Sequence, residues 1–165
     1  MKPLDPERKR QSVYVALRSF FDQECKLIDR NFEGLLDLLR KNPEQSIGHD
    51  LRAEASYIHD FYNSAENLFK MIAEEMNGGI PRGESWHKLL LLEMKSGING
   101  SRGPIISENL YNMLNECLKF RHLFRNSYGV FLDSIKTRQT ATIALQADKL
   151  LKHEFNCFLE SLKNK

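Results

Sequence analysis

The sequence predicts an all-α fold: an antiparallel, up-and-down four-helix bundle with a short extra helix in the connection between the second and third long helices. Three observations lead there. Chain breakers are clustered, with the five prolines at positions 3, 6, 43, 81 and 104 and six of the nine glycines between Gly78 and Gly103. The long stretches between them repeat apolar residues every three or four positions, the period of a helix with one buried face. Sustained period-two alternation is missing, as is an Asn-Gly hairpin between β-branched runs. Long helices joined by short links pack as antiparallel neighbours.

The first helix opens at Asp5-Pro6-Glu7, an N-cap and first turn, and runs toward Lys41 with Val13, Leu17, Phe20, Phe21, Ile28, Phe32, Leu35, Leu36 and Leu39 among its apolar positions. Asn42-Pro43 ends it, because a residue before proline avoids the helical region. The second spans about Ser46 to Met76, where Leu51, Ala55, Ile58, Tyr62, Ala65, Leu68, Phe69, Ile72 and Met76 recur at helical period. Asn77-Gly78-Gly79 stops it, glycine supplying the left-handed cap. Ile80 to Ser107 is a connection holding the short helix around Ser85–Met94, and a link of that length is often functional or disordered. Ser107 opens the third long helix, and the fourth runs from about Lys136 to Leu162.

Composition sets the outer limits. The 165 residues carry 24 Lys+Arg against 22 Asp+Glu, a net charge of +2, and fit one domain over residues 1–165 with a full core. Near-balanced charge argues against a histone-like coat protein or a strongly polybasic membrane binder. The longest apolar run is the four leucines Leu89 to Leu92, far short of the roughly 20 residues that span a bilayer. Met1 to Pro6 holds no signal-peptide core, so a soluble cytoplasmic protein without membrane contact is expected. Cys25, Cys117 and Cys157 lie far apart and read as small buried hydrophobes in a reducing compartment. No histidine or carboxylate cluster has the spacing of a zinc site, so neither metal nor cofactor is expected.

Chemistry concentrates between Phe120 and Tyr128. With Arg121 at zero and about 100° per residue, Leu110 and Tyr128 fall near about −20°, Leu114 near +20°, Cys117 near −40° and Phe124 near −60°. Arg121 therefore lies within the apolar stripe, and Arg125 is about 40° away. A buried guanidinium needs a partner carboxylate, an open cleft or a bound anion. Asp60 and Glu66 on the second helix are the candidate carboxylates, whereas paired guanidinium groups beside a phenol suit a phosphate-bearing ligand. His122 and Asn126 are i, i+4 neighbours on the flank of that face.

These residues resemble those of a known family. The HEPN ribonucleases, HepT toxins in particular, carry an arginine, a spacer of four to six residues and a histidine, often extended to His-x-Tyr, on one helix of a four-helix bundle. Arg121 and Tyr128 match the arginine and tyrosine, while Asn126 stands where the histidine should be. Tyr57-Ile58-His59-Asp60-Phe61-Tyr62, Glu84 through Leu90, Pro104-Ile105-Ile106-Ser107 and Phe120-Arg121-His122 through Gly129 extend the likeness over about residues 45 to 135.

The resemblance implies a metal-independent endoribonuclease, a toxin–antitoxin component whose site forms at the seam of a homodimer. Arg121 would hold the scissile RNA phosphate, with Arg125 assisting, and Asn126 would occupy the acid–base position. An amide cannot titrate near neutral pH, so activity is weakened unless His122, one turn earlier, substitutes. Tyr128 is the matching acceptor for modification by a nucleotidyltransferase antitoxin, which would set negative charge beside Arg121 and Arg125. The alternative is a non-catalytic helical partner of a nucleotidyltransferase, a substrate-binding or regulatory subunit.

The remaining polar residues read more simply. His59 and Tyr62 sit at i, i+3 on the second helix, as core or supporting residues or as direct participants. Trp86-His87 packs the short helix onto the bundle. Gly78 to Gly83 lacks the Gly-Lys-Ser/Thr of a P-loop and reads as a turn. Arg8-Lys9-Arg10 is a solvated helix face or an RNA contact.

Overall fold

The computed structural model describes residues 5–41, 48–100, 102–126 and 132–163. Five helices follow one another: α1 (Pro6–Leu39), α2 (Gly48–Met76), α3 (Trp86–Ser96), α4 (Glu108–Asn126) and α5 (Ser134–Lys163). Among the described residues there is no strand, only one isolated bridge between Ile98 and Arg102. The protein is all-α. Asn42-Pro43, Ser46 and Tyr128 lie outside the described residues.

Local chemistry accounts for the helix ends. Asp5 accepts a hydrogen bond from the Glu7 amide and Pro6 occupies the first turn of α1, where a missing N–H costs nothing. At the end of α2 the amides of Asn77 and Gly79 both return to the Ala73 carbonyl, with Gly78 at φ +83°. Ser107 Oγ accepts from the Leu110 amide and Asp133 Oδ1 from the Lys136 amide, capping α4 and α5. The cap at Asp133 starts α5 two residues before the expected Lys136.

One apolar stripe from each helix feeds a common core. Leu17, Phe21, Ile28, Phe32 and Leu35 of α1 meet Ile58, Phe61, Ala65, Leu68 and Ile72 of α2, together with Ala141, Ala144, Leu151 and Phe155 of α5. Phe21 stacks on Phe155 with ring centroids 4.6 Å apart, and Phe32 lies 5.2 Å from Phe61. Leu110, Leu114 and Cys117 close the core from α4. The cysteines divide: Cys117 is buried, Cys25 is partly buried with its thiol pushed up to about 11 by burial, and Cys157 is exposed near His153. The expectation that all three are buried fails at Cys157.

The connection from α3 to α4 is pinned rather than loose. The Ile105 amide donates to the Met94 carbonyl at 2.8 Å, which sets Ile105 and Ile106 into the core. Buried Arg102 donates from Nε to Asn77 Oδ1 at 3.0 Å and from Nη2 to the Glu93 carbonyl at 3.3 Å. Gly97 makes this path possible. Its φ is +71°, and a Cβ there would meet the Gly103 carbonyl carbon at 2.8 Å and the Arg102 oxygen at 2.9 Å.

Those neighbours are backbone and cannot step aside. Gly78, also at positive φ, faces open space. Gly97→Ala is expected to destabilise by about 1–3 kcal/mol beyond the roughly 1–2 kcal/mol of a left-handed alanine at Gly78→Ala. Urea melts of the two variants check this; equal midpoints would refute the close approach.

Candidate functional site

A polar stripe interrupts the apolar face of α2. His59, Tyr62, Asn63, Glu66 and Lys70 recur at intervals of three and four, which places them along one side of the helix. α4 packs beside this stripe with Arg121, and α3 reaches it with its first two residues, Trp86 and His87. Three helices thus meet over one carboxylate.

That carboxylate belongs to Glu66, whose side chain is 2% exposed. Its Oε2 accepts from His87 Nδ1. Its Oε1 lies 3.5 Å from Lys70 Nζ and 3.7 Å from Arg121 Nη2. Removing a carboxylate from water costs several kcal/mol, which only close cationic partners and hydrogen bonds offset. Glu66 has both.

Arg121 is 7% exposed, as its place in the apolar stripe required. Its Nε donates to Asn63 Oδ1 at 2.8 Å, and its Cζ stands 5.9 Å from the centre of the Tyr62 ring. Nη1 is buried without a hydrogen-bond partner among the described residues. Asn63 Nδ2 is in turn 3.1 Å from His59 Nδ1, and the His59 ring lies 5.8 Å from Phe124. Burial and neighbouring Glu66 push the Tyr62 hydroxyl far above the usual phenol range, so it stays protonated.

The imidazoles form a second layer. His87 is stacked on Trp86 at 3.6 Å, and Lys70 Nζ sits 5.1 Å from the Trp86 centroid. His122 and His87 meet in a T-shaped contact with centroids 5.6 Å apart, and His122 is itself exposed. Its pKa is lowered, first by partial desolvation and then by His87, Arg121 and Arg125, against an opposing pull from Glu66.

The expected site residues are only partly brought together. Arg121, His122, His59 and Tyr62 gather at this seam. Arg125 and Asn126 are exposed in the last turn of α4, and Tyr128 falls outside the described residues. Of the two candidate carboxylates Glu66 meets Arg121, whereas Asp60 is beside His59 at 3.2 Å. Asn63 and Lys70 went unnoticed in the sequence, and His87 was read only as packing. The polar stripe at helical spacing on α2 is the signal that points to the first two.

Among the described residues no group of three or more His, Cys, Asp or Glu is arranged to hold a metal ion. Nor is any described helix long and apolar enough to cross a membrane. Fold and seam together define a class: an all-α bundle with an arginine-bearing helix packed on a buried acidic anchor. Residues 53–162, well over half of the chain, match the family described as HepT-like protein, and the chain belongs to that family. No curated protein and no solved structure matches it.

Two measurements follow. Glu66→Leu strands the buried Arg121 charge and is expected to cost about 3–5 kcal/mol, while adding Arg121→Met restores part of that loss. A double variant no more stable in urea than Glu66→Leu would contradict the pairing. NMR titration should place the His122 midpoint below about 6.5, with His87→Gln moving it upward. The sign for stability is set by the lowered value: the folded chain binds this proton less readily than the unfolded one, so stability falls as pH drops below about 6.5.

Proposed function

We propose that this HepT-like chain is an RNA-directed, metal-independent endoribonuclease, the toxin side of a toxin–antitoxin pair in the cytoplasm. Its four long helices run antiparallel, up and down, in keeping with Glu24 beside Asn67 and Phe32 beside Phe61 between α1 and α2. Two copies pair so that their arginine-bearing helices share a seam. The observation that carries the reading is Arg121: it occupies the family's arginine position, and its buried donor Nη1 has no hydrogen-bond partner among the described residues. That donor and the exposed Arg125 suit the oxygens of a scissile phosphate.

Asn126 fills the motif's histidine position and cannot move a proton near neutral pH. His122, exposed on the same helix and held toward its neutral form, takes over as acid–base group. Tyr128 is the acceptor for a nucleotidyltransferase antitoxin, and a nucleotide there would compete with RNA for Arg121 and Arg125.

A second reading has its own support. Glu66 and Asn63 already hold two of the Arg121 nitrogens, an arrangement that also suits a non-catalytic helical partner of a nucleotidyltransferase. Cleavage of RNA in the presence of a chelator separates the two. The wild type is expected to exceed Arg121→Lys, which keeps the buried charge but loses the planar fork, by about 10²-fold or more. Asn126→His is expected to raise cleavage further. Equal background from wild type and Arg121→Lys would leave the partner reading standing.

A further inference from the structure

We infer that His87, on α3, is a second proton-transfer residue, paired across the seam with His122 so that two imidazoles replace the acid–base histidine absent at position 126. The inference rests on the RNA-cleaving reading and adds to it a residue from outside the arginine-bearing helix.

The geometry argues for more than packing. A histidine that merely filled space at the start of α3 would need no carboxylate, yet His87 Nδ1 donates to a glutamate that is almost fully buried. A carboxylate on one ring nitrogen fixes the tautomer and the ring's orientation and leaves Nε2 on the other side of the ring. Trp86 stacked at 3.6 Å holds the ring plane. The side chain retains 13% exposure, so it is reachable from solvent.

His122 lies opposite, with ring centroids 5.6 Å apart and the two ring planes nearly perpendicular. The groups facing the pair come from all three helices: Glu66 and Lys70 from α2, Trp86 from α3, Arg121 and Arg125 from α4. They are placed differently about the two rings. Glu66 is bonded directly to His87, while His122 faces mainly positive neighbours. The seam thus offers one imidazole hydrogen-bonded to a carboxylate and one held toward its neutral form, the two proton-handling groups that a single-step transesterification needs.

In that step neutral His122 takes the proton of the ribose 2′-hydroxyl as the oxygen attacks phosphorus. The P–O5′ bond breaks, its electron pair stays on O5′, and imidazolium His87 delivers its Nε2 proton there. The products are a 2′,3′-cyclic phosphate and a 5′-hydroxyl. Exchange of one proton through water resets both rings, with no further reactant.

The test uses four chimeric oligonucleotides, each with one ribonucleotide (A, C, G or U) in a DNA chain, made with oxygen or sulfur at the 5′-bridging position. A thiolate leaves without needing a proton. His87→Gln, which keeps a donor for Glu66, is expected to slow oxygen-linked cleavage by about 10²–10³-fold and sulfur-linked cleavage by less than about 3-fold. His122→Gln should slow both. A His87→Gln enzyme that cleaves the oxygen linkage like the wild type, or is slowed equally on both, overturns the assignment while leaving the ribonuclease reading intact. A wild type that cleaves none of the oligonucleotides overturns both.

Discussion

A carboxylate closed inside a helical bundle is tolerable only if cations come to it, and Glu66 is where this structure meets that demand. It draws one partner from each of three helices: Lys70 from its own α2, His87 from α3 and Arg121 from α4. His87 and Arg121 are themselves poorly solvated, whereas Lys70 keeps about a third of its side chain in solvent. Without Glu66, Arg121 would sit uncompensated in the apolar stripe of α4. Without Arg121 and His87, Glu66 would be an isolated buried charge. The arrangement stabilises the fold only when all of it is present, and this ties the position of α3 to the packing of α2 on α4.

The short helix is fixed at both ends by such polar contacts. At its start His87 bonds to Glu66, and at its finish the Glu93 and Met94 carbonyls receive Arg102 and the Ile105 amide. A helix of 11 residues is too short to be stable alone in water, so its orientation comes from these anchors and from buried Leu90, Leu91 and Met94. The consequence for the seam is direct. Trp86 and His87 are held at a definite angle to α4, and His122 meets a ring that is anchored by Glu66 and Trp86.

The helices were legible because their signals are local. Asp5-Pro6, Asn77-Gly78-Gly79 and Ser107 each mark an end through bonds to residues one turn away, and apolar spacing marks the buried faces. The burial of Arg121 was legible for the same reason, since a wheel requires only the helix that carries it. The choice of Glu66 over Asp60 was not. It depends on how α2 is turned against α4, which no window along one helix contains. His87 was harder still, because its partner lies 21 positions earlier in the chain and on another helix. Cys157 shows the converse error: residue type suggested burial, but its position on α5 faces outward.

Buried charge alone does not single out this seam, for the bundle holds another such pair. Glu54 is fully buried beside Arg138, whose guanidinium also donates to the carbonyls of Leu38 and Lys41 at the end of α1. That arginine is engaged by backbone oxygens as well as by its carboxylate, and it joins α5 to the end of α1. The Glu66 cluster is built differently. Two of its neighbours are imidazoles, one of its cations has a donor with no partner among the described residues, and its outer edge is exposed through His122. Imidazoles add little as structural anchors that a lysine or arginine would not supply. Their presence here, over a carboxylate that holds one of them, is the physical reason to place the chemistry at α2, α3 and α4 rather than at the buried pair joining α2 and α5.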